Sequence, residues 1–163
     1  MDWYRWIVYF HVFGAFLFFI AHGTSMMVAF RCRSGIDRSR AAELLELSGR
    51  SVGVMYVGLL VLLGAGVWAG FAGGHWSRGW IWAALGVLVA VMVAMYAIGT
   101  PFYARMRAAA GVPGAVERGA QLKPPASPDD LAQLATSTRP FWLAGIGLVG
   151  LAVILWLMIL KPF

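Results

Sequence analysis

The stretch FHVFGAFLFFIAHGTS, residues 10–25, places His11 and His22 in a run where nearly every other residue is apolar. Imidazole buried in such a run is costly unless it is hydrogen-bonded or ligated. Neutral imidazole is a good ligand for haem iron and for copper. Eleven residues at 100° each come to about 20° past three full turns. The two histidines therefore share one helix face, about 16 Å apart along the axis. That separation rules out a shared iron, since two axial nitrogens stand only about 4 Å apart at about 2 Å per metal–nitrogen bond. The third histidine, His75, lies in a short polar turn with Trp76. It is the weakest of the three ligand candidates, because a wet turn satisfies an imidazole without a metal.

The bland alternative is a hydrogen bond from each histidine to a neighbouring helix. Tyr56, Tyr96, Thr100 or a backbone carbonyl are the candidate partners. Ala15, one turn after His11, leaves room for a helix or a flat cofactor, and Thr24 and Ser25 make a small polar pocket beyond His22. Met92 and Met95 form the only Met-x-x-Met pair of the spans. Methionine is an ordinary filler of apolar cores, so copper(I) is a minor reading there. Cys32, the single cysteine, has no internal partner and reads as a reduced thiol at the membrane surface. No Asp or Glu falls within a predicted span, which counts against a carboxylate-driven carrier or pump. Walker loops, HExxH and serine-nucleophile elbows are also missing.

The elements that carry these residues follow from composition. The chain has 163 residues, 61% hydrophobic and 12% charged, against about 25% charged in a soluble domain. Runs of about 20 apolar residues span a bilayer. Four segments qualify, at roughly residues 4–30, 51–73, 79–103 and 140–160. The expectation is one all-α domain, a four-helix integral membrane bundle. Ten of the 13 Lys and Arg residues fall in the loops 31–50 and 104–139. This positive-inside bias predicts cytoplasmic loops, both termini outward, and a surface for anionic lipids rather than nucleic acid. Trp3, Trp6, Trp76, Trp80 and Trp156 near the outer span ends agree. The long first apolar run, with most positive charge behind it, is unlike a cleavable signal peptide.

Within loop 31–50, Ala41, Leu44, Leu45 and Leu47 alternate with Arg40, Glu43 and Glu46 as in an interfacial helix, with Gly49 as its C-cap. Pro101 is placed to kink span three. The extension ARMRAAAG stops at Gly111 and Pro113. A Pro/Gly-rich linker follows, and Ser127-Pro128-Asp129-Asp130 starts a short helix. Gly66, Gly70 and Gly74 in span two, and Ala144, Gly147 and Gly150 in span four, suit close helix packing within the chain or a homo-oligomer.

Phe10, His11, Val12, Gly14, Phe19 and Gly23 follow a pattern of aromatic, histidine, apolar residue, small residue, aromatic and glycine. In this, and in the four-span layout, the chain resembles small bacterial integral membrane proteins of unknown function that are distantly similar to copper-resistance D proteins and HemJ-type protoporphyrinogen oxidases. The resemblance implies a bacterial inner-membrane protein in which His11 binds haem b. The lysine expected in a later span of the porphyrinogen-oxidising branch is missing from span three. His22 has no counterpart in the pattern. The leading expectation is a haem b-binding or metal-binding redox accessory protein, with His11 and then His22 as ligands. The alternatives are a non-catalytic assembly subunit of a larger membrane complex, and a copper or small-molecule permease.

Overall fold

The computed structural model describes residues 2–112 and 128–163. The described residues form helices joined by turns, with no strand among them. In chain order these are α1 (Asp2–Cys32), α2 (Arg38–Ala72), a short 3-10 turn (His75–Ser77), α3 (Gly79–Ala110), α4 (Pro128–Ala135) and α5 (Arg139–Leu160). Four helices are long and apolar enough to cross a membrane, as the composition requires. The linker expected after Pro113, the Ser127 cap, Arg118 and Lys123 lie outside the described residues.

The fold is two helix pairs. α1 packs along α2, and α3 packs along α5, while contacts between the pairs are concentrated near their ends. Glycine sets the first pair. A Cβ on Gly14 would stand 2.5 Å from the Leu62 backbone nitrogen, and one on Gly58 would stand 2.6 Å from that of Phe18. In lipid no hydrophobic drive separates lipid-facing from helix-facing side chains, so close backbone approach supplies the association. The second pair interlocks differently. Val91 and Met95 of α3 sit on Gly150 and Gly147 of α5. The span-four glycines thus serve packing within the chain.

The expected interfacial helix is not a separate element. α2 runs unbroken from Arg38 to Ala72, with the Asp37 carboxylate accepting from the Arg40 backbone N–H as its N-cap. Its 35 residues measure about 52 Å, well beyond a bilayer core of about 30 Å. Gly49 is no C-cap. It lies inside the helix, where the Arg107 guanidinium crosses it, with Nη1 donating to the Leu45 carbonyl at 2.9 Å and 3.2 Å from where a Cβ would be. Ala41 and Leu45, expected to face the membrane, are buried among Val28, Ala29, Cys32, Phe102, Met106 and Ala109. This core joins the Cys32 end of α1, the start of α2 and the end of α3. Cys32 is a free thiol buried inside this core. α3 continues through Pro101 and stops at Gly111, whose φ of +75° suits a glycine C-cap, as its sequence position predicts.

Candidate functional site

His11 faces α2. Its Nδ1–H donates to the Leu62 carbonyl at 2.8 Å. A carbonyl accepts only, so Nδ1 carries a proton, and in the neutral imidazole the lone pair is then on Nε2. The local geometry explains why a backbone group is available. The Leu62 carbonyl lies one helical turn before Gly66, where the side chain of an ordinary residue would crowd it. A Cβ on Gly66 would stand 2.8 Å from His11 Nδ1 and 2.9 Å from Cε1. Glycine at 66 therefore makes the seat for the ring. Gly14 and Gly58 hold the two backbones close enough for the bond to form.

The side-chain partners expected from sequence are not the ones used. Tyr56 and Tyr96 are 57% and 74% exposed, and Thr100 is also exposed. The polar pocket expected beyond His22 is instead committed to helix packing. Thr24 Oγ1 donates to the Ile20 carbonyl of its own helix. Ser25 joins three helices: Ser48 Oγ donates to its hydroxyl at 2.9 Å, and Tyr103 Oη to its carbonyl at 2.6 Å. His22, half-buried, stacks on Phe18 with the rings 5.5 Å apart and nearly parallel. Among the described residues it makes no hydrogen bond.

His75 belongs to a different cluster, at the turn between α2 and α3. Its Nε2 lies 3.2 Å from Tyr4 Oη, and its ring leans on Trp80 at 5.4 Å. Trp80 also receives the Lys161 ammonium on its face, and its backbone N–H donates to the Phe163 carbonyl. The turn thus ties α1, α3 and the segment after α5 together. Burial, then the nearby Lys161 and Arg78 charges, push the His75 pKa down from its ordinary value of 6.5. The folded protein therefore binds this proton less readily than the unfolded chain does. Stability from this source is fully present above about pH 6.5 and is lost as pH falls below it. Thermal unfolding in detergent between pH 7.5 and 5 is expected to show a falling midpoint. His75→Gln is expected to flatten that dependence, and an unchanged slope in the variant would remove His75 as its source.

No group of three or more His, Cys, Asp or Glu residues converges among the described residues. Met95 is spent against Gly147, and Met92 is 42% exposed, so the Met-x-x-Met pair does not close on itself. Beside the α1–α2 seam, an apolar cleft of ≈ 440 Å³ is lined by Trp3, Trp6, Phe10, Leu60, Gly64 and Trp68, among others. Sequence reasoning missed Tyr103, Gly14 and Gly58 as positioning residues. Gly58 and Gly66 are eight residues apart on α2, and this two-turn spacing is the signal that marks the seam. No protein-family model, no curated relative and no solved structure matches the chain.

Proposed function

We propose that this is a four-span protein of the bacterial cytoplasmic membrane that binds haem b through His11 and acts as a redox accessory protein. The observation that carries the reading is the Nδ1–H bond from His11 to the Leu62 carbonyl. Histidine ligands typically donate their second ring nitrogen to a carbonyl or carboxylate, which fixes the tautomer and the ring orientation. His11 has that arrangement, with Nε2 as the donor atom left over. A porphyrin supplies four equatorial nitrogens of its own, so one imidazole is enough to begin its ligation. A copper site built by the protein alone needs several convergent donors, and the described His, Cys, Asp and Glu residues provide no such cluster. Haem b is therefore the reading preferred here over copper, and a copper or small-molecule permease stays the further alternative.

The charge pattern supports the orientation. With the arginine-rich loops cytoplasmic, both termini and the His75 turn face outward, and His11 lies in the outer half of the membrane. His22, stacked on Phe18 in the inner half, is the second ligand candidate. His75 is already engaged by Tyr4 and Trp80 and is the weakest. One observation favours a second reading. The two helix pairs meet mainly near their ends, which leaves their long faces open to another membrane protein or a second copy. An assembly subunit would use those faces.

Haem content decides between the readings. Protein produced with ample haem supply and purified in detergent is expected to carry about one haem b per chain by pyridine haemochrome assay, with copper well below stoichiometric. His22→Ala is expected to retain it. Colourless protein that co-purifies with a larger complex would favour the assembly subunit instead.

A further inference from the structure

α1 carries two lines of residues at the same spacing, and the chain itself uses one of them. Gly14, Phe18 and Ser25 make the contact with α2, and Ala21 is buried between them. Their steps of four, three and four residues are those of a helix-to-helix seam. Ala15, Phe19, His22 and Met26 repeat these steps one residue later, so they run about 100° around the same helix. None of these four is buried. His22 is the polar member of the second line. Its ring stacks on Phe18 at 5.5 Å, and among the described residues neither nitrogen has a hydrogen-bond partner. The orphaned nitrogens of Arg33 and Trp76 are sealed inside the protein, and those of His22 are not. The polar groups nearest in the chain are already engaged. Thr24 bonds its own helix, Ser48 donates to Ser25, and Tyr103 and Ser51 donate to backbone carbonyls. An imidazole within a spanning helix is unfavourable without a partner, and here no described group supplies one.

We infer that α1 pairs with α1 of a second copy of this chain along the line of Ala15, Phe19, His22 and Met26, with His22 hydrogen-bonded to His22 of the second copy. The membrane sets the geometry. Copies inserted in one bilayer share one orientation, so a two-fold axis between them lies along the membrane normal. A residue beside that axis meets its own counterpart at the same depth. A side chain that only donates gains nothing from such a meeting. A neutral imidazole has one N–H and one bare nitrogen, so one ring donates to the other. A different partner would have to bring its own polar group to this depth, whereas a second copy brings it by symmetry. Ala15, two turns before His22, is small enough for two helix backbones to approach, which is how helices associate in lipid. Phe19 and Met26 flank His22 on either side and close the contact around the polar pair. The inference goes beyond the haem reading and does not rest on it.

The test is sedimentation equilibrium of the full-length protein in density-matched neutral detergent, over a range of protein-to-detergent ratios. Wild type is expected to associate to a dimer. His22→Leu, which keeps apolar bulk, is expected to raise the dimer dissociation constant by about tenfold, the effect of a polar pair between membrane helices in model peptides. His22→Asn is expected to stay within about threefold of wild type, because a carboxamide also donates and accepts. Ala15→Phe is expected to weaken the dimer by at least about tenfold, because it holds the backbones apart. Phe16→Leu, on the adjoining exposed face, is expected to change it less than about twofold. Circular dichroism of each variant separates loss of association from loss of helix. Soret absorbance of the same samples, prepared with ample haem, is expected to be unchanged by His22→Leu. A colourless wild type that still dimerises through His22 would remove the haem reading and leave this one in place. A wild type that is monomeric at every ratio, or a dimer indifferent to His22→Leu, would overturn the inference. So would a His22→Leu protein that loses haem and keeps its dimer, which would return His22 to ligation.

Discussion

Gly58→Ala is expected to destabilise the protein by about 1–3 kcal/mol, the range for forcing an extra carbon into a packed interior. The added Cβ would stand 2.6 Å from the Phe18 backbone nitrogen and 3.0 Å from its Cα. Backbone cannot rotate away as a side chain can, so α1 and α2 must separate. Gly14 sits on the same seam, where a Cβ would meet the Leu62 nitrogen and Cα and the Gly58 carbonyl. Gly14→Ala is expected to cost as much, and the double variant less than the sum, because one separation relieves both clashes. Gly53→Ala is the control. It lies in the same helix with nothing within 4 Å of its added Cβ, so it is expected to be neutral or to stabilise by up to about 1 kcal/mol, the helix propensity of alanine over glycine. Reversible unfolding in mixed micelles checks the series. A Gly58→Ala protein as stable as Gly53→Ala would mean that the α1–α2 seam is not the tight contact described above.

The second large effect is at Gly66, which touches no cofactor in this account. A Cβ there displaces the His11 ring from its seat and breaks or bends the Nδ1–H bond to the Leu62 carbonyl. Removing the group that orients a ligating histidine typically lowers metal affinity by about 10–100-fold. Gly66→Ala is therefore expected to lower haem affinity by at least about tenfold with His11 still present. Gly64→Ala, whose added Cβ meets nothing within 4 Å, is expected to leave it unchanged. Haem titration followed at the Soret band reads both. Equal affinity in the two variants would show that His11 needs no help from α2, and the orientation argument would fail even if His11 were the ligand.

These two sites mark the limit of what the sequence makes legible. The four spans are plain from composition, because a bilayer demands about 20 apolar residues per crossing and the chain supplies them four times. The pairing of the spans is not. Gly66, Gly70 and Gly74 form the visible glycine ladder, yet Gly70 receives Trp76 from the following turn, and Gly74 lies beyond the helix at φ +64°. Of that ladder only Gly66 meets α1, together with Gly58 two turns earlier. The Leu45 region misleads for a related reason. An amphipathic stretch lying on a membrane and one packed on neighbouring helices have the same periodicity, so Ala41 and Leu45 look alike in both. The Arg107 guanidinium crossing Gly49 gives that glycine a packing role inside α2. His11 was legible as a residue needing a partner. That the partner is a backbone carbonyl was not, since every residue has one and only the bare flank at Gly66 singles out Leu62.

The proposed chemistry resides at His11 Nε2, which makes no hydrogen bond among the described residues. The most direct measurement is the absorption spectrum of detergent-purified wild type and His11→Ala, as isolated and after dithionite. The account predicts a near-stoichiometric Soret band and reduced b-type peaks in wild type, lost in His11→Ala while the variant remains folded. A wild type without chromophore under ample haem supply, or a spectrum unchanged by His11→Ala, would contradict it.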